Sequence, residues 1–106
     1  MSILDSFRLD GRVALITGAS RGIGAGIAQG FAEAGADLAL VARSQSDLEG
    51  VAESARGQGR RAVAIAADVG DTGLLPAIVQ QTLDSLGRID ILVNVAGITR
   101  RASILD

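Results

Sequence analysis

The residues whose types and spacing most clearly suit ligand binding form a glycine-rich stretch, TGASRGIG, at positions 17–24. Glycines let the backbone approach a ligand without an intervening Cβ, and the start of a helix offers unpaired amides and partial positive charge to an anion. The stretch follows an apolar run and precedes a segment of helical period, as a phosphate-binding turn requires. We therefore predict that it binds a pyrophosphate, through residues of the loop itself: Gly18, Ser20, Arg21, Gly22, Ile23 and Gly24. A plain strand-to-helix turn is the alternative.

Composition excludes several other chemistries. The 106 residues include 12 acidic and 10 basic side chains, a net charge of -2, so no global positive field attracts nucleic acid or an acidic membrane. Cysteine and histidine are absent, which removes disulfides, thiolate nucleophiles and the commonest metal ligands, and we predict no metal site. Every basic residue is an arginine, which does not release its proton at useful pH. Few groups that could transfer a proton remain.

The first residues and the hydropathy argue against membrane association. Asp5 and Arg8 interrupt the N-terminal apolar residues, unlike a secretory signal. No apolar run approaches the roughly 20 residues that cross a bilayer. We expect a cytoplasmic protein with neither nucleic-acid nor membrane partners.

Four short apolar runs, at 13–16, 38–42, 62–67 and 89–93, predict four β-strands. Because the runs are nearly continuous rather than alternating, both faces of the sheet should be covered, which is typical of parallel sheets between helices.

Three segments of helical period separate these strands. The first predicts a helix over 22–34 with a stripe of Ile23, Ile27, Phe31 and Ala34, ended by Gly35. The second predicts a helix that begins with a capping box, Ser46-x-x-Glu49, and ends near Gly57. The third predicts a helix from 71 or 72 to 87, with Pro76 in its first turn.

Two further glycines, Gly26 and Gly30, fall inside the first predicted helix. Each costs about 1 kcal/mol relative to alanine there. We interpret them structurally, as a smooth face that lets this helix lie close to the sheet or to the neighbouring loops.

The order of elements predicts the fold class, α/β, with one domain over residues 1–106. Helical crossovers are right-handed, so the βαβαβαβ half-domain should form a Rossmann-like doubly wound parallel sheet of strand order 3-2-1-4. In this topology the first and fourth strands are neighbours where the order reverses. The loops at 17–24 and 94–97 should therefore form the two lips of a ligand crevice.

With these residues in place, the sequence resembles the short-chain dehydrogenase/reductase family. The family's motif Thr-Gly-x-x-x-Gly-x-Gly matches 17–24 at every fixed position. Asp68 and Val69, after the third strand, are similar to the family's adenine-contacting pair. Residues 94–97, NVAG, are similar to its Asn-Asn-Ala-Gly motif. The resemblance implies that Asn94, Ala96 and Gly97 contact the dinucleotide, while Val95 replaces the second Asn and removes its side-chain amide.

The residue after the second strand indicates which nicotinamide cofactor is preferred. NAD-selective folds carry an acidic residue there for the ribose hydroxyls, whereas this chain has Arg43. A guanidinium suits the 2′-phosphate of NADP, and a basic residue at Arg21 looks like an NADP marker of the family. We therefore favour NADP(H) over NAD(H), the alternative being that both arginines are solvated surface charges.

The family's catalytic Ser and Tyr-x-x-x-Lys lie beyond the matched region, and this chain has neither Tyr nor Lys. We assign no catalytic residue and expect the chain alone to be inactive. Family members are more than twice as long, so the chain resembles their N-terminal cofactor-binding half. An apolar edge at the fourth strand would favour a homo-oligomer or pairing with the missing C-terminal half.

The resemblance implies an NADP(H)-binding portion of an oxidoreductase that transfers hydride between the cofactor and a carbonyl or alcohol substrate. Residues 97–101, GITRR, are similar to segments of gluconate-type sugar-acid dehydrogenases and of 3-oxoacyl reductases. One alternative is a catalytically silent nucleotide-binding or interaction module. A methyltransferase that uses S-adenosylmethionine is disfavoured, because an acid would be expected at the position of Arg43.

Overall fold

The computed structural model describes residues 8–19, 22–68 and 72–95. Four strands alternate with three helices, as predicted, and a 3-10 turn at Thr72–Leu74 precedes the last helix. In chain order the elements are β1 (Val13–Thr17), α1 (Gly22–Glu33), β2 (Asp37–Ala42), α2 (Gln45–Gly57), β3 (Ala62–Ala66), α3 (Leu75–Leu86) and β4 (Ile91–Asn94).

The strands form one parallel sheet in the order β3-β2-β1-β4. The predicted order and the Rossmann-like class are confirmed. Thr17, the last residue of β1, pairs with Val41 on one side and with Asn94 on the other. The order thus reverses beside β1, and the ends of β1 and β4 lie next to each other.

Helices cover both faces of the sheet, which explains the continuous apolar runs. Every residue of β1 is buried. Ala14 and Ile16 face a cluster formed with α1 and α2, in which Ala28 and Leu48 are buried. Val13 and Leu15 face the other side, where α3 contributes two buried side chains, Ile78 and Leu86.

Helix α1 packs through a face that matches the predicted stripe only in part. Its buried residues are Gly24, Ala28 and Ala32, whereas Ile23 is 63% exposed. The prediction that Ile23 belongs to the packed stripe is wrong. Small residues form the contact with the sheet because they let the helix axis approach it closely. Ile27 and Phe31 are only partly buried against the same cluster.

The interpretation of Gly26 and Gly30 is also wrong. Both residues are exposed, and a Cβ built on either would meet no atom within 4 Å. They face away from the sheet. Gly26 borders a groove of about 380 Å³ between α1 and α2, where Gln29 Nε2 donates to Ser54 Oγ at 3.2 Å.

The N-cap of helix α2 lies two residues earlier than predicted. Ser44 is the N-cap, in an extended conformation (φ -94°, ψ 107°), and its Oγ accepts from the amide of Asp47 at 3.3 Å. The prediction of a cap at Ser46 is wrong, because β2 ends at Ala42 and the chain turns into the helix at once.

Helix α3 begins at Leu75, after the 3-10 turn, rather than at the predicted residue 71 or 72. Pro76 lies in its first turn, as predicted, and Gly87 ends it in the left-handed region at φ 86°. Gly35, with φ 106°, likewise ends α1 with a positive φ. Residue 71 lies outside the described residues.

Strand β4 begins at Ile91 rather than at residue 89. Ile89 instead packs against the cluster on the α3 face, and Asp90 bonds to the start of β1. None of the helices in the described part of the chain could span a lipid bilayer.

Candidate functional site

The first lip of the crevice folds back over the end of β2. The amides of Gly18 and Ala19 both donate to the carbonyl oxygen of Val41, at 2.8 and 3.2 Å. Gly18 adopts φ 72°, a left-handed conformation that glycine takes without strain. The glycine therefore turns the chain sharply from β1 towards the start of α1.

Gly24 makes the closest backbone approach in this loop. It is buried, and a Cβ built on it would overlap Gly18 O and lie 2.8 Å from Gly18 C and 3.0 Å from Ala19 Cα. The first turn of α1 thus crosses directly over the loop, at a distance that only glycine permits. This geometry keeps the first-turn amides of α1, which have no partner within the helix, at the carboxyl edge of the sheet.

The remaining residues predicted for this loop divide into two groups. Gly22 is exposed and begins α1 with φ 60°, and Ile23 lies exposed beside it. The structure thus brings the glycines and Ile23 together at one edge. Ser20 and Arg21 lie outside the described residues.

The second lip is joined to the first by a side-chain hydrogen bond. Thr17 Oγ1 donates to Asn94 Oδ1 at 3.0 Å and lies 3.4 Å from Val93 O. Sequence reasoning did not assign Thr17 a role of its own, although it stands at the first position of the glycine motif. The pairing of Thr17 with Asn94 was not predictable from spacing, because the two residues are 77 positions apart.

Val95 follows Asn94 and packs into the core. It is 4% exposed and belongs to the cluster on the α1 and α2 face, together with Ala19 and Ala28. A valine at the position of the second Asn of the family motif is therefore buried among apolar side chains. The remaining residues predicted for this lip, Ala96 and Gly97, lie outside the described residues.

Two further predicted residues follow β2 and β3 at the same edge. Arg43 comes directly after β2 and is exposed, and Asp68 is exposed two residues after β3. Because parallel strands end at a common edge, both lie on the side of the sheet that carries the glycine loop. Val69 lies outside the described residues.

Arg43 differs from the other arginines of residues 8–19, 22–68 and 72–95. Each of the others has a carboxylate or carbonyl acceptor: Arg8 with Asp10, Arg12 and Arg88 with Asp90, Arg56 with Ala62 O, Arg60 with Gly35 O, and Arg61 with Asp37. Within those ranges no hydrogen bond or ion pair engages the Arg43 side chain. Its guanidinium is available for an anion at the carboxyl edge.

The carboxyl groups with shifted pKa values lie at the opposite edge of the sheet. A hydrogen bond from Arg88, and a second from the Val13 amide, hold the pKa of Asp90 below its ordinary value. A hydrogen bond from Arg8 lowers the pKa of Asp10 in the same way. Neither of these two carboxylates lies at the carboxyl edge, where the glycine loop is. Within the described residues, no cluster of acidic side chains could hold a metal ion.

Comparison with known proteins identifies the family. The family model described as short chain dehydrogenase matches residues 12–106. Oxidoreductase UcpA of Salmonella typhimurium is 48% identical over 99 residues, which are 93% of this chain and 37% of that protein. The 2-dehydro-3-deoxy-D-gluconate 5-dehydrogenase of Dickeya dadantii is 40% identical over 104 residues, which are 98% of this chain and 40% of that enzyme. The chain thus spans well under half of these relatives.

Solved structures agree with this match. L-sorbose reductase from Gluconobacter frateurii, complexed with NADPH and L-sorbose, superposes with a TM-score of 0.76 at 41% identity, over 81% of this chain and 33% of that one. Carveol dehydrogenase from Mycobacterium avium, in complex with NAD, gives 0.76 at 32% identity, over 80% and 35%. The crossing of α1 over its glycine loop fits a family that binds nicotinamide dinucleotides, and this chain belongs to that family, the short-chain dehydrogenases/reductases.

Proposed function

We propose that residues 1–106 form the dinucleotide-binding domain of a short-chain oxidoreductase, which transfers hydride between a nicotinamide cofactor and a carbonyl or alcohol substrate. The observation that carries the proposal is the approach of Gly24 to Gly18, beside the bond between Thr17 and Asn94. Together these contacts set helix amides and a polar lip at the point where strand order reverses, which is where open α/β sheets bind nucleotides.

Each predicted site residue has a part in this proposal. Amides around Gly18, Gly22 and Gly24 bind the pyrophosphate, with Ser20, Arg21 and Ile23 beside them. Asp68 and Val69 contact the adenine, and Asn94, Ala96 and Gly97 form the opposite lip. When bound, the cofactor supplies the hydride chemistry, and this chain orients it.

We further propose a preference for NADP(H). Arg43 supports it, because its guanidinium is exposed at the carboxyl end of β2 without a partner among the described residues. The chain places no carboxylate directly after β2, where one would repel a 2′-phosphate. Among the similar structures, the sorbose reductase is complexed with NADPH and the carveol dehydrogenase with NAD. Because these two structures differ in cofactor, the proposed preference rests on Arg43.

The substrate that we propose is a sugar acid, with a 3-oxoacyl group as the alternative. The gluconate-type dehydrogenase among the relatives supports the first choice. Since the chain has neither Tyr nor Lys, the catalytic pair must come from outside these residues. Leu92 of β4 is 62% exposed at the sheet edge, which supports assembly with another copy or with a further segment.

Titration of NADPH and NADH against wild type, Arg43→Ala and Ala42→Asp tests the proposal. Loss of a charge-assisted hydrogen bond to the 2′-phosphate should weaken NADPH binding about tenfold or more and leave NADH unchanged. Ala42→Asp should favour NADH. Arg61→Ala is the matched control, because Arg61 is an exposed arginine at the opposite edge of the sheet, and this change should alter neither affinity.

Two results would contradict these proposals. Equal affinities for both cofactors that neither substitution changes would refute the preference for NADP(H). Absence of binding of either dinucleotide to the folded wild type would refute the dinucleotide-binding function itself.

A further inference from the structure

Strand β3 lies at one edge of the sheet and, within the described residues, pairs with β2 alone. The pairing begins with the bond from the Leu38 amide to Arg61 O and ends with the bond from the Ala67 amide to Ala42 O. In a parallel ladder every second residue directs its polar groups at the neighbouring strand, so the residues between point theirs outward. The outward-facing residues of β3 are Ala62, Ala64 and Ala66.

The sequence of β3, AVAIA, contains nothing that would keep a further strand away from these groups. It has neither a charged residue nor a proline. Edge strands with free backbone groups pair readily with a strand of another molecule, and natural proteins block them with charge, proline or a covering element. Protection of this edge must therefore come from outside the strand.

Arg56, in the last turn of α2, reaches over the amino end of this edge. Its Nε and one terminal nitrogen donate to Ala62 O at 3.2 and 2.7 Å, so the guanidinium covers the first outward-facing carbonyl. The other terminal nitrogen lies 3.3 Å from Glu53 Oε1 and 3.8 Å from Glu49 Oε2. Because paired strands lie about 4.8 Å apart, an added strand would have to displace this charged group from its acceptors.

The connection from α2 to β3 is closed without the Arg56 side chain. The amides of Gln58 and Arg60 both donate to Ala55 O, at 3.0 and 3.2 Å. The Gly59 amide donates to the backbone oxygen of Arg56 at 2.9 Å. Since backbone bonds already hold this turn, the guanidinium acts on the edge of the strand.

The strand that fits this edge is β3 of a second copy. In an antiparallel pairing about a two-fold axis at Ala64, Ala62 of each copy lies opposite Ala66 of the other, so that outward amides meet outward carbonyl oxygens. The same pairing brings Asp68, two residues after β3, towards Arg60 of the second copy, two residues before it. Opposite charges across paired strands are favourable, so charge complementarity selects a second copy as the occupant.

We propose that Arg56 blocks the edge of β3, and that β3 pairs with β3 of a second copy when this guanidinium is removed. The proposal does not depend on cofactor binding, because Arg56 bonds to the amino end of β3 and the glycine loop lies at the carboxyl edge.

Amide hydrogen exchange, followed by NMR of the intact protein, tests the proposal in wild type and Arg56→Met. Methionine keeps an apolar stem in the last turn of α2 and removes the charge and the donors. In wild type the outward amides of Ala64 and Ala66 should exchange quickly, while those of Val63 and Ile65, which face β2, are protected. In Arg56→Met at high protein concentration, the outward amides should exchange about tenfold more slowly than in wild type.

Sedimentation velocity of the same two proteins gives a second readout. Arg56→Met should show a step of association beyond that of wild type, which is reversed on dilution together with the protection of Ala64 and Ala66. The outward amides localise this step to β3, so association through another surface is distinguished from it.

Arg61→Met is the matched control. It removes the same charge beside the start of the same strand, but the Arg61 guanidinium bonds Asp37 instead of Ala62 O. It should leave the exchange of Ala64 and Ala66 unchanged.

Two results would overturn the proposal. One is exchange of Ala64 and Ala66 in Arg56→Met that is as fast as in wild type, and the other is equal slowing of these amides in Arg61→Met. If Arg56→Met does not fold, Arg56→Gln replaces it, because its shorter side chain also lacks the charge, and unchanged exchange there overturns the proposal equally.

Discussion

Thr17 and Asn94 lie directly opposite each other in the parallel pairing of β1 and β4, and the Thr17 hydroxyl donates to Asn94 Oδ1 at 3.0 Å. Thr17 is 6% exposed, whereas Asn94 is exposed. The bond therefore connects the sheet interior to the polar lip at its carboxyl edge and fixes the direction of the Asn94 amide oxygen.

Thr17→Val should lower both stability and cofactor affinity. Valine keeps the shape but leaves Asn94 Oδ1 without this donor, so we expect a loss of about 1 kcal/mol in the free energy of unfolding. Urea denaturation and NADPH titration measure the two effects. Thr17→Ser keeps the hydroxyl and is the control for affinity. Equal affinities of the valine variant and wild type would show that the bond does not orient the lip.

Gly24→Ala should destabilise the loop and abolish dinucleotide binding. The added Cβ would overlap Gly18 O, a backbone atom, so α1 must move away from the loop. We expect a loss of about 1–3 kcal/mol in the free energy of unfolding, as for other overpacked sites. Thermal or urea denaturation and NADPH titration measure these effects.

Gly26→Ala is the matched control for this prediction. It lies two residues further along α1, where an added Cβ meets nothing within 4 Å. Alanine is the better helix former, so we expect stabilisation by about 0.5–1 kcal/mol and unchanged binding. Similar destabilisation of both variants would mean that the loop contact does not explain the requirement for glycine.

The fold could be predicted because the strand pattern and the helix pattern of the sequence both indicate the same α/β arrangement. Continuous apolar runs indicated strands buried on both faces, and helical segments between them required crossovers, which limit the topology. Helical period alone could not identify the packed face of α1, however. Ile23 shares a stripe with partly buried residues, yet the contact line follows Gly24, Ala28 and Ala32, where small side chains permit close approach.

The positions of the candidate site residues could be predicted where a local motif carries them, and not where they depend on pairing across the sheet. The glycine loop and Asn94 are visible as short motifs at strand ends. The roles of Thr17 and Asp90 depend on the register between β1 and β4, two strands that are distant in sequence. The cap of α2 was ambiguous for another reason, because Ser44 and Ser46 are each followed three residues later by an acidic residue.

Ser44→Ala should destabilise the protein by about 1 kcal/mol, because it removes the acceptor for the Asp47 amide at the start of α2. Ser46→Ala is the control and should change the free energy of unfolding by less than about 0.5 kcal/mol. Urea denaturation of both variants makes the comparison. A larger loss for Ser46→Ala would contradict the assignment of Ser44 as the cap.

Asp90→Asn should remove part of the acid sensitivity of the fold. The pKa of Asp90 is lowered from its ordinary value of 3.8 by the hydrogen bond from Arg88, then by that from the Val13 amide. The carboxylate therefore stabilises the folded state fully above that value, and the contribution is lost as pH falls through the lowered pKa, because the unfolded chain takes up the proton first.

Urea midpoints of wild type and Asp90→Asn from about pH 7 to about pH 3 measure this dependence. The difference between the two proteins should be constant at neutral pH and shrink below about pH 4. Asp37 lies on the other side of β1 and is paired with Arg61. The charged groups that face Asp90 are therefore Arg88 and Arg12. Asp10→Asn is the comparison. The hydrogen bond from Arg8 is the main cause that lowers the pKa of Asp10, with a smaller contribution from the Arg60 charge, and within the described residues no hydrogen bond joins the Asp10 side chain to Val13 or β4. A difference that stays constant down to pH 3 would show that the Asp90 charge contributes nothing to holding β4 against β1.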